Sequence, residues 1–454
     1  MTTELNEGIP GVNELPAGWK TVPIKFLFSF GKGLSITKAD LQDDGINVIS
    51  YGQIHAKWNT GVHLHSELIR HVNSEFADEN PYALVPVNGF IFADTSEDLA
   101  GSGNCAYVDE DIPVYAGYHT ITLKSKTGTN NKYLAYLFQT DAWRYQIRKD
   151  LTRVKVYSIS QQKLRTTYAL VPPANIQASI VSFLDEHCAA IDSAISKHHQ
   201  IIEKLEEYRK AVITQAVTKG LNQNVEMKDC SDKWFGNIPA EWTVKRLKYL
   251  FQTGDGQLKI GPFGSALKGK TIENGPYKIY NQANVIQNDF SISRHYVSDE
   301  TYDELKAYTV LPDDVLFTMM GTIGKCQIMP HNTQPGIMDS HLLKARLNGF
   351  VLPEYFVYAY DKDNTDIIYN QLIFMTTGSI MNGLNSSIIK EIRMPVPPVE
   401  EQRRIVSYLD KMCGKIDTAI EKHNQLISKL QEYKQSLIYN AVTGKIDCTV
   451  EAKA

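Results

Sequence analysis

Two stretches of this 454-residue chain carry residue types suited to a nucleic-acid backbone. The first runs from Asp141 to Tyr157, where Arg144, Arg148, Lys149, Arg153 and Lys155 interleave with Trp143, Tyr145 and Tyr157. Cations in such a pattern hold phosphates, while arginines and aromatic rings reach the bases. The second runs from Lys245 to Lys270. Lys245, Arg246, Lys248, Lys259, Lys268 and Lys270 there face a single acid in sequence, Asp255, around a glycine-rich loop that ends at Gly264 and Ser265. Glycines in such a loop let a ligand come close to the backbone. Either stretch alone reads equally as a solvated face, because charge runs are common. Their occurrence in corresponding halves of the chain favours the functional reading.

Motifs for catalysis are missing. Asn80-Pro81-Tyr82 resembles the base-clamping loop of amino-methyltransferases, but it lacks the second proline and has no glycine-rich cofactor turn beside it, so it reads as a turn. Gly321-Thr-Ile-Gly-Lys325 has the wrong spacing for a phosphate loop, and Cys326 stands where a magnesium-holding Ser or Thr belongs. It reads as a hairpin. No paired-carboxylate nuclease signature, nucleophile elbow or metal-binding His cluster is found, so no metal and no cofactor are expected. Six cysteines lie scattered without CxxC spacing. Cys188 and Cys413 fall in one seam slot of the repeat described below, and Cys105 and Cys326 in matching loops, which marks them as small buried side chains.

What must position these stretches is a tandem duplication. At a constant offset of 225, Val171 to Gly220 lies over Val396 to Lys445, with roughly half the positions matching, and such self-similarity outranks any local motif. Each copy opens on Pro-Pro and then runs without another proline, which predicts one long helix. Leu184, Cys188, Ile191, Ile195, His198, Ile202, Leu205, Arg209 and Val212 recur at alternating three- and four-residue steps. Leu409, Cys413, Ile416, Ile420, His423, Ile427, Leu430, Lys434 and Leu437 match them. That period is a coiled-coil seam. At about 1.5 Å per residue, Asn175 to Val217 would span on the order of 65 Å, so the natural partner of each helix is the other copy. His198 and His423 share a polar seam slot, read as fixing register and pairing.

The blocks before each helix match at their ends and diverge between. Pro16 and Trp19 pair with Pro239 and Trp242, and Lys25 to Phe28 with Lys248 to Phe251. Islands then recur at Gly103 to Cys105 against Gly324 to Cys326, His119 against His341, and Tyr133 to Tyr136 against Tyr355 to Tyr358. Ile46 to Ile49, His119 to Leu123, Lys278 to Tyr280 and Val315 to Thr318 read as strands, and Tyr133 to Lys149 and Pro353 to Gln371 as helices. Cap-like Ser160 and Asn385 each precede a short helical turn and a strand, Thr167 to Val171 or Ile392 to Val396. Leu221 to Asp232 reads as an irregular linker. The expected fold class is therefore α+β: two mixed α/β domains in tandem pseudo-repeat, separated by two long antiparallel coiled-coil helices. Its parts are 1–170, the first mixed domain; 171–220, the central helix; 221–395, linker and second mixed domain; and 396–454, the C-terminal helix and tail.

Composition fits an ordinary soluble protein, with 43% hydrophobic and 22% charged residues and no run near the roughly 18 apolar residues of a membrane span. The opening segment has no signal-peptide pattern, so a cytoplasmic protein is expected. The net charge of −4 gives nucleic-acid binding no general support, but local patches decide that question.

Taken together, the motifs resemble those of the DNA-specificity subunit of type I restriction-modification enzymes, over essentially the whole chain. They are Leu15-Pro-Ala-Gly-Trp19 and Ile238-Pro-Ala-Glu-Trp242, Ile260-Gly-Pro-Phe-Gly-Ser-Ala-Leu-Lys268, Gly321 to Lys325, and Val396-Pro-Pro leading through Glu401-Gln402 to Leu430-Gln-Glu-Tyr-Lys434 and Thr443-Gly-Lys445. The first half departs from the pattern: Gly31-Lys-Gly-Leu-Ser35 lacks the Pro-Phe-Gly-Ser run, and Gln177 has no preceding Glu. The resemblance implies two target-recognition domains, each reading one half of a bipartite double-stranded DNA site. It also implies two helices that set the gap and dock two methyltransferase subunits, restriction/translocase subunits joining through the complex, and no catalysis by the chain itself. The alternative reading is a coiled-coil scaffold with two protein-binding heads.

Overall fold

The computed structural model describes residues 9, 12, 14–126, 131–152, 155–222, 224–376 and 386–449. The chain forms two compact units, 1–197 with 425–454, and 198–424. Each unit thus draws on both long helices, Ala174–Lys219 and Val399–Val442.

In the first unit the strands are β1 (Lys20–Pro23), β2 (Phe28–Lys32), β3 (Ile46–Ile49), β4 (Arg70–Val72), β5 (Leu84–Val85), β6 (Phe90–Ala93), β7 (Thr95–Ser96), β8 (Cys105–Tyr107), β9 (Val114–Ala116), β10 (Thr120–Ser125), β11 (Tyr157–Ser158) and β12 (Tyr168–Val171). They build an antiparallel sheet β2-β10-β6-β8 and a mixed sheet β4-β3-β9-β5 in which β3 and β9 run parallel. The pair β1-β12 closes the block, and β7-β11 pins its far loop. In the second unit the strands are β13 (Met227–Asp229), β14 (Asn237–Pro239), β15 (Thr243–Arg246), β16 (Lys259–Ile260), β17 (Tyr277–Tyr280), β18 (Tyr296–Val297), β19 (Thr309–Val310), β20 (Val315–Thr318), β21 (Cys326–Ile328), β22 (Gly336–Met338), β23 (Leu342–Ala345) and β24 (Arg393–Val396). Three of their sheets repeat those of the first block strand for strand: β16-β23-β20-β21, β18-β17-β22-β19 with β17 and β22 parallel, and the closing pair β15-β24. Two blocks of unlike sequence share one topology.

The predicted linker contains more structure than its polar sequence signals, because β13 pairs with β14. The predicted helix over 133–149 is two helices, Asn131–Phe138 and Asp141–Arg148, since the Thr140 hydroxyl accepts the Trp143 N–H and starts a new helix. Likewise 353–371 divides into Pro353–Tyr360 and Asp366–Thr376. Ser160 caps Gln161–Arg165 by accepting from Lys163 N–H, whereas Asn385 lies outside the described residues. Asn80 to Tyr82 forms a short helical turn, and Gly321 to Lys325 joins β20 to β21 as a hairpin.

Each long helix starts where Pro-Pro needs no N–H donors. The following glutamine completes the turn: Gln177 Nε2 donates to Pro172 O and Gln402 Nε2 to Pro397 O, both at 2.8 Å. Each helix ends against a buried tyrosine: Tyr133 Oη donates to Val442 O at 3.0 Å, and the Tyr355 hydroxyl lies between Val217 O at 3.2 Å and Pro395 O at 3.1 Å. Within each unit the helix segments run antiparallel. In the first, Asp192 pairs with Lys434 at 2.7 Å. In the second, His198 Nδ1 meets His423 Nδ1 at 2.8 Å and Arg209 meets Asp417 at 3.3 Å. The seam positions sit inside these pairings: Ile191, Ile416 and Ile427 are buried, and Ile195, His198, Ile202, Leu205, Ile420, His423 and Leu430 half-buried.

The core of the first unit joins Phe90, Phe92, Phe138 and Trp143 to Leu184, Ile191, Leu437 and Ala441 of the helices. That of the second joins Trp242, Phe317, Phe356 and Tyr360 to Ile213, Val217, Ile405 and Leu409. Each such leucine or isoleucine withdrawn from water contributes about 1.5–3 kcal/mol, so the blocks and the helices stabilise one another. Among the described residues no helix is long and apolar enough to cross a membrane.

Candidate nucleic-acid interface

The first basic stretch is not the surface that its charges suggest. Asp141–Arg148 is a helix whose 143, 144 and 147 positions face inward, so Trp143 and Arg144 are buried. Arg144 is 9% exposed and bonds Phe138 O at 2.8 Å through Nε, Asn104 Oδ1 at 2.7 Å and Gln139 Oε1 at 2.6 Å. Burial pulls its pKa down to about 10. Arg148 binds Asp141 at 2.7 Å and the carbonyls of Ser102 and Ala100. Both arginines therefore hold the loop between β7 and β8, and Arg144 and Trp143 are corrected from interface to interior. Lys149 and Lys155 are exposed and Tyr145 is 49% exposed; Arg153 lies outside the described residues.

In the second stretch, acids distant in sequence offset several of the cations. Glu391 pairs with Arg246 at 2.9 Å and Lys248 at 2.8 Å, and Glu304 pairs with Lys270. These pairs pull the Glu391 carboxyl below its usual range, chiefly through the Lys248 bond. Lys245 lies over the Phe350 ring and half-buried Lys259 over that of Tyr308, at 5.4 and 5.1 Å. Gly264, Ser265 and Lys268 are exposed, and Gly264–Leu267 forms a short helix behind Phe263, whose side chain is 87% exposed. Sequence reading missed Phe263, although Pro-Phe-Gly in a glycine-rich loop leaves an aromatic ring little to pack against.

What the fold does bring together is one corner of each block. In the first, His119 precedes β10 and Asp94 follows β6; Asp94 N–H donates to His119 O at 3.1 Å, and His119 Nδ1 lies 3.3 Å from Asp94 Oδ1. Tyr51 packs edge-on against both Tyr118 and His119. In the second, His341 precedes β23, Met319 N–H donates to His341 O at 3.1 Å, and His341 Nδ1 lies 3.4 Å from Asp339 Oδ2. Gln282 occupies the place of Tyr51 at the start of the helix after the parallel strand, and its Oε1 accepts from Met319 and Met320 N–H. The glycine-rich loop lies against this corner in both blocks. A Cβ on Gly33 would stand 1.8 Å from Gly117 O, and one on Gly261 1.8 Å from Asp339 O, so only glycine permits the approach. Burial pushes the Asp339 carboxyl up, opposed by the His341 backbone and ring.

The cysteines lie apart from any such chemistry. Burial pushes the Cys105 thiol up to about 12 and Cys188 up to about 11, and raises Cys326 and Cys413, which keeps all four protonated and inert.

A model of the type I restriction modification DNA specificity domain matches the chain twice, over residues 16–207 and 239–431. The EcoKI specificity subunit of the type I restriction enzyme from Escherichia coli (strain K12) is 22% identical over 449 residues, covering 95% of this chain and 90% of that protein. The EcoBI specificity subunit from Escherichia coli is 23% identical over 309 residues, 66% of this chain, which spans 63% of that relative. Among solved structures, a chain described under the structural basis of complex assembly and conformational transition of the type I R-M system has a TM-score of 0.67 at 15% identity. The match covers 95% of this chain and all of that one. It is a likeness of fold.

Proposed function

The chain belongs to the type I restriction modification DNA specificity family, and from that premise we propose that it is the sequence-reading, non-catalytic subunit of a cytoplasmic restriction-modification complex. Each block reads one half of a bipartite duplex site. The paired helices set the gap and dock two methyltransferase subunits, through which the restriction subunits join. The chain needs no cofactor, because methyl transfer and cleavage belong to its partners.

One observation carries this reading. The two blocks repeat each other in both four-stranded sheets and the closing pair, yet the side chains at the shared corner differ: Tyr51, Tyr118 and Gly31-Lys-Gly-Leu-Ser35 in one, Gln282, Ser340 and Gly261-Pro-Phe-Gly-Ser265 in the other. A common scaffold with exchanged tips is what two readers of unlike half-sites require, since sequence is read by side chains at base edges. Lys149 and Lys155 in the first block, and Lys259, Lys268 and Lys270 in the second, are the cations assigned to phosphates.

Fluorescence anisotropy of the full chain, alone and assembled with methyltransferase subunits, on duplexes scrambled in one half tests the reading. Replacing either lysine set by Ala should weaken binding and flatten its log-log salt dependence by about 0.9 for each phosphate that a lysine no longer neutralises. Unchanged affinity and slope in both variants would remove these lysines from the interface. A wild-type chain that binds no duplex in either form would instead support the scaffold with two protein-binding heads.

A further inference from the structure

The two corners differ in their side chains, Tyr51 and Tyr118 in one against Gln282 and Ser340 in the other, but share one device, an imidazole beside a carboxylate. His119 is 59% exposed in its side chain and His341 49%, so neither ring serves the core. Their acids come from different places: Asp94 from the end of β6, Asp339 from the turn two residues before His341. Simple inheritance of one pair would keep the acid at one position. Here the geometry recurs while the sequence solution differs.

The ring orientation also recurs. In both blocks Nδ1 faces the carboxylate, and His341 Nδ1 lies 3.4 Å from Ser340 Oγ as well. No hydrogen bond engages Nε2 of either ring among the described residues. A nucleophilic role does not fit, because in such a triad the acid and the nucleophile use opposite ring nitrogens, whereas Ser340 shares Nδ1 with Asp339 and Tyr118 stands at the Ser340 position in the first block. The glycine-rich loop packs directly beside each histidine, Gly33 against the backbone of Gly117 and Gly261 against that of Asp339.

Resting on the DNA-reading function proposed above, we propose that His119 and His341 are equivalent DNA-backbone anchors, each taking up a proton from solvent on binding so that the imidazolium turns Nδ1–H to its carboxylate and Nε2–H to one phosphate oxygen of its own half-site. Unlike side chains suit unlike bases. A side chain common to both readers suits what is common to both half-sites, and phosphate contacts are the ones that fix register without reading sequence. Asp94 and Asp339 act as positioning residues, fixing the ring as a carboxylate fixes an imidazole elsewhere.

The test uses the full chain assembled with methyltransferase subunits and a duplex carrying both half-sites, with single phosphates replaced in turn by neutral methylphosphonates. His119→Ala and His341→Ala should each weaken binding by roughly tenfold to a hundredfold, the order of one hydrogen bond to a charged group. One methylphosphonate position in each half should weaken the wild type by the same factor and leave the matching histidine variant unaffected. His119→Gln and His341→Gln, which keep a similar shape, serve should either alanine variant lose its melting transition. Variants that bind like wild type, or whose loss adds to that of every methylphosphonate, overturn the proposal. If the lysine variants still weaken binding in that case, the DNA-reading function stands without these anchors. A wild-type complex that binds no duplex removes both.

Discussion

Arg144 shows how a charge pattern misleads when it is read without its helix. Counted along the chain, it belongs to a cationic run with interleaved aromatics; placed on the helix Asp141–Arg148, it shares the inner face with Trp143 and Ile147. A helical projection of these residues would have put Trp143 and Arg144 together, so this part of the site was legible and the linear count obscured it. The partners were not legible: Phe138 O, Asn104 and Gln139 converge only in the fold. Arg144→Ala should therefore destabilise the first unit by about 2–4 kcal/mol, because it leaves buried acceptors unpaired. Lys149→Ala, on the outer face, should stay within about 0.5 kcal/mol. Urea melts followed by circular dichroism measure both, and an Arg144→Ala chain as stable as wild type, but weak on one half-site only, would return Arg144 to the interface.

Elements were more legible than contacts, because hydrophobic period and proline placement are local signals. Ile46–Ile49 and Val315–Thr318 coincide with the strands expected, and the Pro-Pro corners open the long helices as their sequence implies. The helix breaks at 139–140 and 361–365 lay below that resolution, as did β13, whose partner β14 is set by tertiary pairing. The recurring Tyr133 and Tyr355 could be seen as matched islands, but their task could not: each brings its hydroxyl to a carbonyl in the last turn of a long helix, Tyr355 sharing its proton with Pro395 O. Such carbonyls lack intrahelical donors, and buried ones must find others. Burial holds both phenols far above their ordinary pKa, so they remain donors at any working pH. Tyr133→Phe and Tyr355→Phe should each cost about 1 kcal/mol. Thermal melts should show the midpoint falling by about 2–4 °C, as expected for units of this size. No shift in either variant would mean that water replaces the hydroxyl at no cost.

At the scale of the whole molecule, the duplication and both helices were plain in the sequence, but the composition of the units was not. The chain passes between them twice, at 197/198 in the central helix and at 424/425 in the C-terminal helix. Nothing local marks either point, since the seam continues through both. The consequence bears on the proposed role of the helices in setting the gap. Lengthening one helix alone would leave the other at its old length and force a bulge, so a spacer test must lengthen both. One heptad inserted after Lys197 and one after Asn424 keeps the seam in phase. It also preserves Asp192 with Lys434 in one unit and Arg209 with Asp417 in the other. Seven helical residues add about 10.5 Å, the length of about three base pairs at 3.4 Å each. The preferred gap between half-sites should grow by about that number while both half-site sequences stay as they were, because neither block is altered. Selection of bound duplexes from a random pool with variable spacers reads gap and half-sites together, and the single-helix insertions are the control that should lose binding. A doubly extended chain that folds, binds and keeps the original gap would show that the helices are docking surfaces and that the spacing is set elsewhere.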